Sequence, residues 1–176
     1  EQAIRALESR LGSLESRPPD SLSAAETAEM IDCLLLGARA WTNLGHFDQA
    51  LQWSRRAVDL GRVNPDAHYL LATILLEQGK TEEAVEALRR VLYLVPDFAP
   101  AQLALARAAF LSENHEEGVR VVRRLLEGLS TRPPGEEVPG AEGLTVGALR
   151  GFARAMLEQA GEPFASGPPE GGNRRQ

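Results

Sequence analysis

Small and large apolar positions recur along this chain at one fixed interval. Ala38, Ala72 and Ala106 are each 34 residues apart, and so are Ala50, Ala84 and Gly118. Larger or more variable apolar positions keep the same spacing, as Trp41, Leu75 and Ala109, and as Ala57, Val91 and Leu125. Gly45 matches Gly79, with Glu113 at that place in the third copy. A period shared by small and large positions is the mark of stacked structural units that bury a continuous core between neighbours.

Each unit reads as two helices. In the middle copy Asn64-Pro65-Asp66 offers a side-chain cap, a proline at the first helical position and an acid near the positive helix end. The apolar pattern "AHYLLATILLEQ" then runs to Gly79, which suits a left-handed stop. Thr81 is the expected cap of the second helix, "EEAVEALRRVLYLV", which Pro96 ends. Residues 72 and 84 are small so that the two helices can approach; a bulky side chain there would cost about 1–3 kcal/mol.

The arginine pairs Arg55/Arg56, Arg89/Arg90 and Arg123/Arg124 follow the same period. They are expected in the last turns of the second helices, away from starts that carry Asp48, Glu82/Glu83 and Glu116/Glu117, an arrangement that complements the helix dipole. Glu86 is spaced to pair with Arg89 and Arg90. Two readings stand: a solvated outer face, or a basic docking stripe.

This alternation over 31–130 resembles the tetratricopeptide repeat (TPR). The middle copy fits best, with His68, Leu71, Ala72, Leu75, Gly79, Ala84, Leu88, Val91 and Pro96 at the family's key places. The first copy departs at Ser54, where an aromatic is usual, and at Arg62, where proline is usual. The third departs at Glu113 and Gly118. The resemblance implies an all-α, right-handed superhelical solenoid of three helix pairs, in units 31–64, 65–98 and 99–130, with extra helices at both ends.

Residues 1–30 hold the amino-terminal helix and the lead into the first unit. Ile4, Leu7, Leu11 and Leu14 share one helical face within 1–16, and Ser23-Ala24-Ala25-Glu26 forms a capping box for a long first repeat helix. The amino-terminal helix is read either as a cap over the first unit or as a segment that joins another domain or fills the repeat groove. Residues 131–160 comprise a proline- and glycine-rich loop and a capping helix at about 145–159, with Leu149, Phe152, Met156 and Leu157 towards the core. Residues 161–176 read as a flexible tail.

Composition narrows the function classes. The chain has 19 basic against 25 acidic residues and a formal charge of −6, which opposes phosphate binding, so no nucleic-acid partner is expected. Apolar runs are too short for a membrane span and no signal-peptide pattern opens the chain, so no membrane insertion is expected. The single cysteine, Cys33, reads as a buried core thiol, which fits a cytoplasmic setting. A first residue of Glu1 rather than methionine points to a piece of a longer protein.

No catalytic constellation emerges. His46, His68 and His115 fall in different units, "HEEGV" lacks the second histidine of a zinc helix, and no nucleotide loop or nucleophile motif is present. No catalytic, cofactor-binding or metal residue is assigned, and this chain is not expected to be an enzyme.

The TPR resemblance implies instead a protein-binding groove lined by first helices. Its family positions fall on Leu35, Arg39 and Asn43, on Tyr69, Thr73 and Glu77, and on Leu103, Arg107 and Phe110. Such a mixed groove lacks the multiple Lys/Asn set that clamps a terminal carboxylate. It fits an amphipathic helix or extended segment, held by Tyr69 and Phe110 and oriented by the charges. The competing reading has these residues merely packing on the amino-terminal helix.

A narrower likeness involves 68–106, with its "LYLVPDF" junction, and "EGLTVGALRG" (142–151). These resemble the carboxy-terminal region of CheR-type chemotaxis-receptor methyltransferases, which carry TPR units after a catalytic domain. The resemblance implies a regulatory or targeting module whose partner is a receptor segment, its own catalytic domain or a signalling protein. S-adenosylmethionine is then the cofactor of the absent catalytic domain, and none is expected in this chain. The implied setting is bacterial surface sensing and gliding motility, the myxobacterial Frz pathway enzyme being the expected kind. The alternative is a self-associating scaffold unrelated to methylation.

Overall fold

A computed structural model describes residues 2–18, 21–141 and 143–162. Among them are eight helices and one isolated bridge: α1 (Gln2–Glu15), α2 (Ala24–Asn43), α3 (Phe47–Leu60), α4 (Pro65–Glu77), α5 (Thr81–Leu94), α6 (Ala99–Leu111), α7 (His115–Leu129) and α8 (Val146–Gln159). The architecture is all-α. The tail expected from residue 161 lies, beyond Glu162, outside the described residues.

Helices α2/α3, α4/α5 and α6/α7 form the three hairpins, and each second helix also packs on the first helix of the next hairpin. The small positions explain the pairing. Ala38, Ala50, Ala72, Ala84 and Ala106 are fully buried, and Gly118 is buried. The core is a row of neighbouring clusters rather than one centre, the arrangement expected of a linear repeat.

Turns repeat as faithfully as helices. Gly45 and Gly79 adopt φ of 76° and 71°, and Glu113 takes φ 58° at the same place. In each turn the next residue's amide donates to a carbonyl of the preceding helix: His46 to Trp41, Lys80 to Leu75 and Asn114 to Ala109, all at 2.9 Å. At the opposite turns a buried side chain ties the hairpins together. His68 Nε2 lies 3.0 Å from the Arg62 carbonyl, which can only accept, so this nitrogen carries the proton. One period later Gln102 Nε2 donates to the Pro96 carbonyl at 2.8 Å. The bond needs a carbonyl and not a proline ring, so Arg62 in place of proline leaves the tie intact.

Several expectations need correction. Lys80, not Thr81, is the cap position of α5, and it makes no side-chain cap bond. The arginine pairs lie a turn before the ends of α3, α5 and α7, whose last turns contain no base. Their role is therefore not to complement the helix dipole. The first arginine of each pair instead bridges to a neighbouring element: Arg55 to Glu83 on α5 at 2.7 Å, Arg89 to Glu117 on α7 at 3.1 Å, and Arg123 to Glu162 at 2.7 Å. Glu86 also meets Arg89, at 3.2 Å, and Arg90 stacks over Tyr93. Exposed pairs of this kind contribute about 0–1 kcal/mol each. Cys33 is half-buried rather than buried, and desolvation pushes its thiol pKa up.

A further helix packs on each side of the three hairpins. The Ser23–Glu26 capping box starts α2, and α1 packs on it with Ile4, Leu11 and Leu14 buried. Arg10 meets Glu29 at 2.7 Å, and Glu15 pairs with Arg56 on α3. Helix α1 thus sits on α2 as α3 sits on α4, on the outer side of the first hairpin. At the other end the loop before α8 is a tight turn, held by Val138 N–H to the Leu144 carbonyl at 2.9 Å and Val146 N–H to the Glu136 carbonyl at 2.8 Å. Thr145 caps α8, which buries Leu149 and Leu157; Phe152, expected in the core, is exposed and Met156 is half-buried.

Candidate functional site

The two rows of helices are not packed equally. First helices touch one another directly, α2 with α4 and α4 with α6. Second helices are bridged by long side chains, the Arg55–Glu83 and Arg89–Glu117 pairs. An array drawn together along one row bends towards it, so α2, α4 and α6 line the inner face.

That face carries the nine positions named from sequence. Arg39, Asn43, Glu77 and Arg107 are exposed; Tyr69, Thr73, Leu103 and Phe110 are half-buried; Leu35 is 9% exposed. The aromatic residues are partly committed. Tyr69 meets the Phe98 ring edge-on at a centroid distance of 5.2 Å. Phe110 lies across Gly118, where an added Cβ would come within 2.7–2.9 Å of the ring, and it meets His115 at 5.9 Å. Phe110 therefore uses much of its surface on α7. The Thr73 hydroxyl donates to the Leu70 carbonyl at 2.8 Å.

The charges behave differently. Arg10, Arg17, Arg55, Arg56, Arg89, Arg123 and Arg132 each have an acidic partner. Among the described residues, the inner-face Arg39 and Arg107 have no ion-pair or hydrogen-bond partner. Helix α1 makes its extensive contact with α2 and reaches α3 through Glu15, so it does not span the row of first helices.

Other structural features escaped the sequence. The Arg150 guanidinium donates to the Leu129 carbonyl and, at 2.8 Å, to that of Arg132, tying the end of α7 to α8. Gly140, at φ 76°, lies against the Phe98 ring, with 2.8 Å from Cζ to a would-be Cβ. An i, i+3 or i+4 pattern cannot reveal either contact. Among the described residues no group of three His, Cys, Asp or Glu is placed to hold a metal, and no helix is long and apolar enough to cross a membrane.

Comparison with known proteins agrees with this geometry. The sequence matches the family described as Tetratricopeptide repeat over residues 35–97 and 69–135, more than half the chain. Among solved structures, MamA aligns at 19% identity and TM-score 0.61, covering 89% of this chain and 84% of that one. The type III secretion translocator chaperone SycD of Yersinia enterocolitica aligns at 13% identity and TM-score 0.64, covering 76% and 92%. YrrB, a TPR protein with an unusual peptide-binding site, aligns at 20% identity and TM-score 0.54, covering 58% and 53%. At these identities the likeness is one of fold. No curated protein sequence matches the chain.

Proposed function

The chain belongs to the tetratricopeptide-repeat family, and from that premise we propose that it is a protein-interaction module whose inner face holds a helix or extended segment of a partner. The observation that carries this reading is the inner face itself, where unpaired cations stand beside half-buried apolar side chains. Arg39 and Arg107 of the first helices stand exposed and unpaired among the described residues, on the face that also carries Leu35, Tyr69, Leu103 and Phe110. An unpaired arginine beside half-buried apolar side chains offers a partner both orientation and contact area. Leu35, Tyr69 and Leu103 supply the apolar floor, with the outer edge of Phe110. Asn43, Thr73 and Glu77 add polar contacts.

The finer reading is that the module targets a bacterial chemotaxis-receptor methyltransferase and so influences which receptor glutamates are modified. Its support is the likeness of 68–106 and 142–151 to that family's carboxy-terminal region. The residues concerned also serve structural roles: Phe98 of the "LYLVPDF" junction packs on Tyr69 and Gly140, and Thr145 caps α8. On this reading S-adenosylmethionine belongs to a catalytic domain outside the chain, the setting is cytoplasmic, and the Frz pathway is the nearest expectation. Titration with receptor cytoplasmic segments and with the isolated catalytic domain tests it. Binding to one of them is expected. Failure of both, with an unaltered methylation pattern after deletion of the module from the parent, removes the methyltransferase role.

Self-association is the second reading, motivated by the apolar face of α1. Because Ile4, Leu11 and Leu14 are already buried on the array, a neighbour's α1 would have to leave its own cap. Sedimentation with and without residues 1–16 separates the two readings.

A further inference from the structure

Helix α2 leaves open a face that its counterparts bury. Positions one period apart are Cys33, Ala67 and Ala101; Leu36, Leu70 and Ala104; and Ala40, Ile74 and Ala108. On α4 and α6, each packed on a preceding second helix, these positions are closed. Ala67, Ala101 and Ala108 are fully buried, Ile74 and Leu70 nearly so, and Ala104 half-buried. On α2 the same face has Cys33 and Ala40 half-buried, Leu36 58% exposed and, beyond them, Leu44 48% exposed.

Helix length explains the difference. Helices α3 and α5, of 14 residues each, match the 13-residue α4 and α6 that follow them. Helix α1 also has 14 residues, but α2 has 20. The two run antiparallel, Arg17 meeting Glu26 and Arg10 meeting Glu29, so α1 covers the first turns of α2. The last turn and a half of α2, about 9 Å, extends past it. Leu36 stands at the border of that length.

We propose that a second copy of this chain covers the strip, in an antiparallel, twofold-symmetric α2–α2 contact centred on Leu36. The inference rests on the self-association reading, and it replaces the exchange of α1 with a contact in which no helix leaves its place. Charge complementarity selects this occupant. Asp32 and Arg39 lie one turn to either side of Leu36, on the same flank and within about 60° of it around the helix. Both are exposed, and among the described residues neither has an ion-pair or hydrogen-bond partner. A twofold axis through Leu36 keeps that flank on one side and reverses the helix direction. It therefore brings Asp32 of each copy to the height of Arg39 in the other, a self-complementary pair of ion pairs about an apolar centre. The same operation sets each copy's α1 beside the uncovered second half of the other's α2. Arg39 borders both the strip and the inner face, so in the dimer it is not free to orient a docked segment.

Sedimentation equilibrium of the full chain over the micromolar to millimolar range tests this. The native chain is expected to dimerise reversibly, as befits a small interface. Leu36→Glu is expected to abolish the dimer without changing thermal stability, since that side chain already faces solvent. Asp32→Arg and Arg39→Asp each set like charges against one another and should weaken association about tenfold or more. An equimolar mixture of these two variants should regain native association, because opposite charges then face each other at both ends of the contact. A native chain that stays monomeric throughout overturns the proposal together with the self-association reading. A dimer that survives Leu36→Glu overturns this surface and leaves self-association standing, as does a mixture of the charge variants that associates no better than either alone.

Discussion

The indole of Trp53 occupies the space above Gly37: a Cβ at residue 37 would lie 2.1 Å from its Cζ3 and 2.2 Å from its Cε3. One period later the pair is Leu71 and Ala87, and then Leu105 and Val121. The hairpins thus keep a tight interface by exchanging which side contributes the volume. Gly37→Leu alone is expected to destabilise the chain by about 3 kcal/mol through overpacking, and Trp53→Ala by a similar amount through a cavity. The double variant recreates the pairing of the second hairpin and should recover much of both losses. Denaturant unfolding of all four proteins checks this; additive losses would show that the two positions do not share one space.

Glu113 holds the left-handed place that glycine fills in the other two hairpins. Glu113→Gly is expected to raise stability by about 1 kcal/mol, because a Cβ is disfavoured at that φ. Thermal unfolding reads the gain. A loss would mean that its side chain makes a compensating contact.

Glu26 accepts from the Ser23 backbone and hydroxyl and from Arg17, and these bonds hold its carboxyl at about 2 against an ordinary 4.5. A depressed folded-state value stabilises above pH 4.5 and ceases to do so as pH falls towards 2. The advantage of the native protein over Glu26→Gln should therefore shrink across that window. A gap in melting temperature that stays constant from about pH 6 to pH 2 would contradict the cap's ionic character.

The period made the hairpins legible because every unit must solve the same packing problem. It revealed Ala38, Ala50, Ala72, Ala84 and Ala106 and the glycine turns directly. It did not reveal the exchange between Gly37 and Trp53, since size is conserved only as a sum across two helices. The arginine pairs lie a turn earlier than the last-turn position the pattern implies, because α3, α5 and α7 continue past them, to Leu60, Leu94 and Leu129. The partners of Arg55 and Arg89, 28 residues on, and of Arg123, 39 residues on, lie beyond any local pattern. The inner face was legible as a set of positions, but the contact of Phe110 with Gly118 depends on a rotamer that spacing does not determine.

The central claim is that α2, α4 and α6 form a docking wall whose free cations orient a partner. Calorimetric titration of the two proposed partners, a chemotaxis-receptor cytoplasmic segment and the isolated catalytic domain, into the native chain and into Arg39→Glu/Arg107→Glu tests it most directly. The account predicts binding to the native chain that weakens about tenfold or more on charge reversal, with unchanged thermal stability. Equal affinity for both proteins, or no binding to either, would contradict it.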